Sequence, residues 1–368
     1  MPSKGNPAPF RWTLEDRPIP IAVTGSAVLE ILHAPVVQYA KERYSGGASY
    51  PMPVPIVPGA NAVARIHAVG NDATVLRVGD LVLLDCTIRA RDSSANILLG
   101  FMAGSHLSAN VLWDDAWRDG VWARYARVPL ENVHKLDEKR LVGELGYEIA
   151  DCTLIQTCAI AYGGLDDAGV RAGDTVIVAP ATGRFSGATV LTALAMGANV
   201  VAAGRRQAAL DELVKGLNNN PAVKTVLLAG DVERDFESFR NAVGPNGADV
   251  YVDWSPGAVT ETPAYMTAAF GVLRRGGTVM VMGGIGGTVN MPYKQIMLAN
   301  LVVRGRFMYE RQQLEQVIKL AEYGRLPLGK HCGLKTVASF GLEQFEEALD
   351  EAKRYPGWAG IVNIVPSL

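Results

Sequence analysis

The chain has 368 residues, a formal net charge of −2, 49% hydrophobic and 20% charged residues. Such a length and apolar content suit a globular protein of two domains, and the nearly balanced charge excludes a dedicated binder of nucleic acid or of anionic membranes. No apolar run has the length of a bilayer span, the start MPSKGNPAPF lacks the apolar stretch of a secretory signal, and the four cysteines form no CxxC pair, so free thiols in a reducing, cytoplasmic setting are expected.

Residues 1–20 are proline-rich and predict irregular chain. Residues 21–33 carry Val23, Val28, Ile31 and Leu32 and predict one or two strands. Pro51, Pro53, Pro55 and Pro58 punctuate a loop entering Gly59. Strands are predicted at 62–69 and 80–85, with the turn Gly70-Asn71-Asp72 after the first. Between 87 and 116 no period is clear. A long excursion of this kind often forms a lid or pocket wall, and Phe101, Trp113 and Trp117 are its candidate lining. A further strand is predicted at 122–128. The first part is thus strand-rich with many turns, which suggests a barrel-like unit.

At 148–168 the spacing turns helical. Strands are then predicted at 175–179, 199–203, 225–228, 250–252, 277–282 and 301–304. Helices are predicted at 188–196, 208–217, 236–243, 263–272, 294–298, 310–323 and 342–353, and a last strand at 359–365. Alternation of this kind predicts a doubly wound α/β sheet.

The stretch 175–206 organises the whole. A short apolar strand runs into a loop of small residues, Pro180 to Gly187, then a helix and a second strand. Gly183 and Gly187 lack side chains, so the backbone can approach a pyrophosphate while the helix presents its unpaired N–H groups. Thr182, Gly183, Arg184, Phe185 and Ser186 are the candidate contacts. The usual G-x-G-x-x-G is not met, because Pro180 and Ser186 stand where glycines are common. A plain connecting turn is the alternative. Beyond the second strand, a site for NAD places a carboxylate on the ribose. Here Gly204-Arg205-Arg206 occupies that place, with two guanidiniums suited to a 2′-phosphate, which points to NADP(H). The alternative is a pair of solvated arginines.

The segments GNDATVLRVGDLVLLD (70–85), DGVWARYARVPLENVHKL (119–136), AGDTVIVAPATGRFSGATV (172–190), ADVYVDWSP (248–256) and LRRGGTVMVMGG (273–284) together resemble the medium-chain dehydrogenase/reductase superfamily over nearly the whole chain. The resemblance implies an α/β protein: a β-rich GroES-like catalytic domain at 1–152 and 301–368, plus a Rossmann NADP(H)-binding domain at 153–300. It implies an oxidoreductase acting on a small-molecule carbonyl substrate. Ser255, Gly283 and Gly284 follow predicted sheet strands where the family holds the nicotinamide ribose, with a mobile glycine connector as the alternative for 283–287. A homodimer is implied through the strand near 301–304.

Zinc-using members hold a catalytic ion with a cysteine, a His-Glu pair after a glycine, and a later cysteine or aspartate. By register those places hold Val37, Ala60, Asn61 and Gln156, which are poor ligands for zinc. The segment matching the four-cysteine structural lobe holds only Cys86, and no two of the five histidines have ligand spacing. A zinc-free enzyme is therefore expected. Zinc-free relatives typically reduce the polarised C=C of quinones or enones, and some reduce carbonyls. Tyr39, near the relay hydroxyl of zinc-using members, is the first candidate proton donor, with Tyr44 and Tyr50 in the same stretch. Asn61 and Gln156 are candidates to hold a substrate oxygen or the nicotinamide amide, or merely to satisfy each other. Cys158 reads as a small buried hydrophobe. Two rival readings remain: an NADPH-binding protein with little turnover, and a zinc alcohol dehydrogenase with shifted ligands.

Overall fold

The computed structural model describes residues 11–46, 52–104 and 107–368. Fifteen strands occur among them: β1 (Ser26–Val36), β2 (Val63–Val69), β3 (Leu81–Leu84), β4 (Thr87–Arg89), β5 (Asn96–Leu98), β6 (Tyr125–Pro129), β7 (Val133–Lys135), β8 (Thr175–Ala179), β9 (Asn199–Gly204), β10 (Val223–Leu227), β11 (Ala248–Asp253), β12 (Leu273–Val281), β13 (Val302–Gly305), β14 (Lys335–Phe340) and β15 (Gly360–Ile364). The α-helices are α1 (Ala40–Tyr44), α2 (Leu107–Val111), α3 (Leu154–Asp167), α4 (Arg184–Ala195), α5 (Gln207–Gly216), α6 (Val232–Val243), α7 (Ala264–Gly271), α8 (Tyr293–Leu298), α9 (Arg311–Glu322) and α10 (Phe345–Arg354).

The chain forms two compact units. The first holds the described residues up to Thr153, with Lys335–Pro356 and Gly360–Leu368; the second holds Leu154–Leu334 and Gly357–Ala359. In the first, β1 is the central strand of a seven-stranded sheet ordered β14-β15-β1-β2-β3-β7, with β6 also on β1. Its apolar run is almost wholly buried because partners cover it. The strand expected from 21 starts only at Ser26, whose N–H bonds Val23 O at 2.9 Å in a turn that Gly25 makes at φ +76°. The excursion expected at 87–116 contains the hairpin β4–β5 and a helical stretch, α2 followed by a π-helical segment at Leu112–Trp117.

The second unit is built on a six-stranded parallel sheet, β10-β9-β8-β11-β12-β13. This is the doubly wound order in which the direction of winding reverses between β8 and β11, and ligands bind beyond the carboxyl ends of strands at that point. The core includes Ile177, Val201, Tyr251, Met266, Phe270 and Val279. Residues 301–334, expected with the first part, belong here: β13 pairs in parallel with β12 and so extends this sheet. Three residues beyond Leu334, Gly357–Ala359, also belong to this unit.

Candidate functional site

In the second unit, the candidate cofactor residues gather at the carboxyl ends of β8, β9, β11 and β12. Residues 180–187, expected as one loop, are shorter as a loop: α4 begins at Arg184. The cause is a side-chain cap. The N–H of Gly183 donates to Ser186 Oγ at 2.9 Å, and the N–H of Gly187 reaches Gly183 O at 2.8 Å. Arg184, Phe185 and Ser186 are therefore first-turn residues, whose N–H groups have no acceptor within the helix. Ala181 N–H donates to Ala203 O at 2.7 Å, tying the loop to β9. Gly204 permits this approach: a Cβ there would stand 3.3 Å from Thr182 Cγ2 and 3.1 Å from Leu210 Cδ2. Arg184 is buried, so its guanidinium is turned into the protein rather than displayed. Gly187 is buried too, and the contact that it allows is with Trp358 rather than with open space.

Arg205 and Arg206 are exposed, immediately after β9 and at the entrance to α5. No carboxylate stands in that turn.

Beyond β11 lies a polar network that the sequence did not reveal. Asp253 Oδ1 accepts from Ser255 Oγ at 2.5 Å, from Ser255 N–H at 3.2 Å and from the Tyr251 phenol at 3.1 Å. Ser255 Oγ also lies 2.8 Å from Tyr265 OH. Burial raises the pKa of Asp253 against the hydrogen bonds from Ser255. The hydroxyl of Ser255 is thus engaged inside, and Ser255 offers its main chain: Gly284 N–H donates to Ser255 O at 2.8 Å. Gly283 has to be a glycine here, since a Cβ would meet both Asp253 Oδ2 and Ser255 O at 2.6 Å. Burial likewise raises the Tyr265 pKa, against the hydrogen bond with Ser255. Trp254, also unforeseen, stacks on Phe185 at 5.9 Å and donates through Nε1 to Thr189 Oγ1 at 2.8 Å. Nothing in the local pattern announces Tyr265 or Trp254, because both acquire their partners through folding.

Gln156 is buried in the first turn of α3, in the second unit. Cys158 is fully buried, and burial pushes its thiol up to about 12, as befits a core residue.

Tyr39 and Asn61 belong to the first unit. Tyr39 precedes α1, is 39% exposed, and meets Phe101 edge-on at 6.1 Å. Tyr44 is no free proton donor: its hydroxyl donates to Gly100 O and accepts from Gly59 N–H, both at 3.0 Å, and burial raises its pKa. Tyr50 lies outside the described residues. Of the expected wall residues, Trp113 is buried and donates to Pro53 O at 3.2 Å, and Phe101 packs with Tyr44. The strand expected from 122 starts at Tyr125, because Val121 and Trp122 bond back to Gly59 O and Pro58 O, at 3.0 and 2.8 Å. These bonds hold the chain leading into Asn61. Asn61 is 8% exposed and its Nδ2 has no hydrogen-bond partner among the described residues. Gln38 Oε1, missed in the sequence, is likewise buried without a partner among the described residues. The antiparallel register pairs His33 with Val63, so Gln38 and Asn61 flank the same end of the β1–β2 pair.

Ala60 and Asn61 follow Gly59 where the family carries His-Glu, and among the described residues no three His, Cys, Asp or Glu side chains stand close enough to share an ion.

The sheet order and the two-unit chain define a GroES-like domain joined to a Rossmann-type nucleotide domain. Comparison with known proteins agrees: residues 25–138 match the alcohol dehydrogenase GroES-like domain and residues 187–322 match the zinc-binding dehydrogenase family. The chain belongs to the medium-chain dehydrogenase/reductase superfamily. It is 27% identical over 320 residues to a probable D-xylulose reductase A of Aspergillus terreus, covering 85% of this chain and 82% of that one. It is 25% identical over 274 residues to an alcohol dehydrogenase of Rhizobium meliloti, covering 74% and 73%. An alcohol dehydrogenase from E. coli CFT073, solved with NADH, superposes with a TM-score of 0.76 at 18% identity over 97% of this chain and 96% of that one. The protein is thus an oxidoreductase similar to alcohol and xylulose dehydrogenases, and a nicotinamide nucleotide is the cofactor expected of it. Among the described residues no helix is long and apolar enough to cross a membrane.

Proposed function

We propose that the protein is a zinc-independent, NADPH-dependent oxidoreductase that reduces an activated C=C or C=O of a small to medium apolar carbonyl compound, such as an enone, a quinone or a ketone. The observation that carries the cofactor choice is the exposed Arg205-Arg206 turn after β9, with no carboxylate to repel a 2′-phosphate. The first-turn N–H groups of α4 suit the pyrophosphate, and Phe185, Gly204, Ser255, Gly283 and Gly284 surround the same strand ends. The bound nicotinamide supplies the hydride. Asn61 is assigned to a substrate oxygen, because its buried Nδ2 lacks an acceptor among the described residues. Tyr39, the more exposed phenol, is assigned as proton donor. Gln156 is assigned to the nicotinamide amide.

The same reading takes the protein as a homodimer. β13 ends its sheet, and Tyr293, Met297, Leu298, Val302 and Phe307 nearby are all at least half exposed. An open strand edge beside apolar side chains is a ready template for pairing with a second copy.

The test is to mix the purified protein with NADPH and a panel of enones, quinones and aldehydes, following NADPH absorbance, with metal analysis alongside. Oxidation with at least one acceptor and no stoichiometric zinc is expected. A saturable NADPH complex that oxidises with none of them refutes turnover; one bound zinc per chain that is needed for activity refutes the metal-free reading.

A further inference from the structure

Of the residues beyond Leu334, only Gly357–Ala359 belong to the second unit, and they lie against the phosphate loop. Gly357 forms an antiparallel bridge with Gly183, the residue that caps α4. A Cβ on Gly357 would touch Thr182 O at 3.4 Å. The next residue, Trp358, is 4% exposed. Its indole covers Gly187 so closely that a Cβ there would stand 2.7 Å from Cε3 and 2.9 Å from Cδ2. On its far side, Nε1 donates to Cys332 O at 3.0 Å. The indole therefore cannot retreat without giving up a buried hydrogen bond.

Gly187 is the fourth residue of α4, directly after the three whose N–H groups face outward from the helix start. That first turn meets both the Ser186 cap and the Trp358 indole. Hydrogen bonds and the helix-end charge fall away steeply when the donors move. Phe185, stacked on Trp254, holds the same turn as well.

We propose that Gly357 and Trp358 form a clamp that sets the position of the first turn of α4, and so sets dinucleotide affinity from a chain segment far away in sequence. Trp358 is on this view a positioning residue, which touches the helix and not the cofactor. The inference rests on the assignment of this loop to the dinucleotide pyrophosphate.

The experiment measures NADPH and NADH binding by calorimetry for the wild type, Gly187→Ala, Trp358→Leu and the double variant, with circular dichroism confirming the fold of each. Gly187→Ala overpacks against the fixed indole and is expected to weaken both cofactors by roughly tenfold or more. Trp358→Leu makes room, so the double variant is expected to bind no more weakly than Trp358→Leu alone. A merely structural role would lower thermal stability in all three and leave affinity where it was. Unchanged affinity in Gly187→Ala, or losses that simply add in the double variant, overturns the clamp. Should Gly187→Ala fail to fold, Trp358→Leu decides: a folded variant with wild-type affinity for both cofactors overturns it. Failure of the wild type to bind either cofactor would instead strike the loop assignment itself.

Discussion

Replacing both Arg205 and Arg206 by alanine separates a 2′-phosphate site from two solvated cations. Neither side chain is buried, and Arg206 sits at the N-cap of α5 without making a side-chain cap. Their removal should therefore leave stability within about 0.5 kcal/mol. A charge-assisted hydrogen bond contributes ~1.5–3 kcal/mol, and exposed groups fall at the low end. At ~1.5 kcal/mol for each guanidinium, the pair gives roughly a hundredfold in Kd. NADH carries no 2′-phosphate, so its Kd should move by less than about threefold on the same footing. The assay is calorimetric titration of wild type and variant with both cofactors at low and moderate salt. The NADPH/NADH preference should collapse in the variant, and the wild-type preference should itself shrink as salt screens the pair. If both cofactors weaken equally, or neither does, the arginines do not read the phosphate and the NADP(H) assignment fails.

Further outcomes follow from buried groups. Asn61→Leu removes a buried donor that has no partner; it should leave stability unchanged or raise it by about 1 kcal/mol while kcat/KM falls at least ~10-fold, and unaltered turnover would remove Asn61 from the site. Tyr44→Phe orphans Gly100 O and Gly59 N–H and should cost about 2 kcal/mol in denaturant unfolding; a cost near zero would show that water replaces the phenol. Asp253 has a folded pKa raised above its ordinary 3.8 by burial, so its carboxylate disfavours the fold. The stability present below 3.8 is lost as pH rises through the folded value. Relative to Asp253→Asn, the wild type should lose ground over that rise in urea titrations at stepped pH, and parallel curves would refute the linkage.

Much of the architecture was legible locally. Apolar runs bounded by turn residues marked β8 and β9 almost to the residue, and the end of β9 displayed its two arginines without any reference to the fold. Glycine-rich turns and helical spacing likewise announced α5, α9 and α10. These signals are short-range: backbone preference and side-chain period are properties of neighbours in sequence. What the chain does at long range was not written there. That Ser186 folds half of the expected loop into α4 depends on one hydroxyl finding Gly183 N–H. That Tyr44 is spent on Gly59 and Gly100, that Ser255 hides its hydroxyl against Asp253 and Tyr265, and that Trp358 settles on Gly187 are contacts between distant positions. The sequence by itself determined two domains of known type and the strand–turn–helix at 175–195 that organises the second. Only the tertiary structure decided which polar groups are paired and which are not, because hydrogen-bonding capacity is consumed by whatever the fold brings within three ångströms or so.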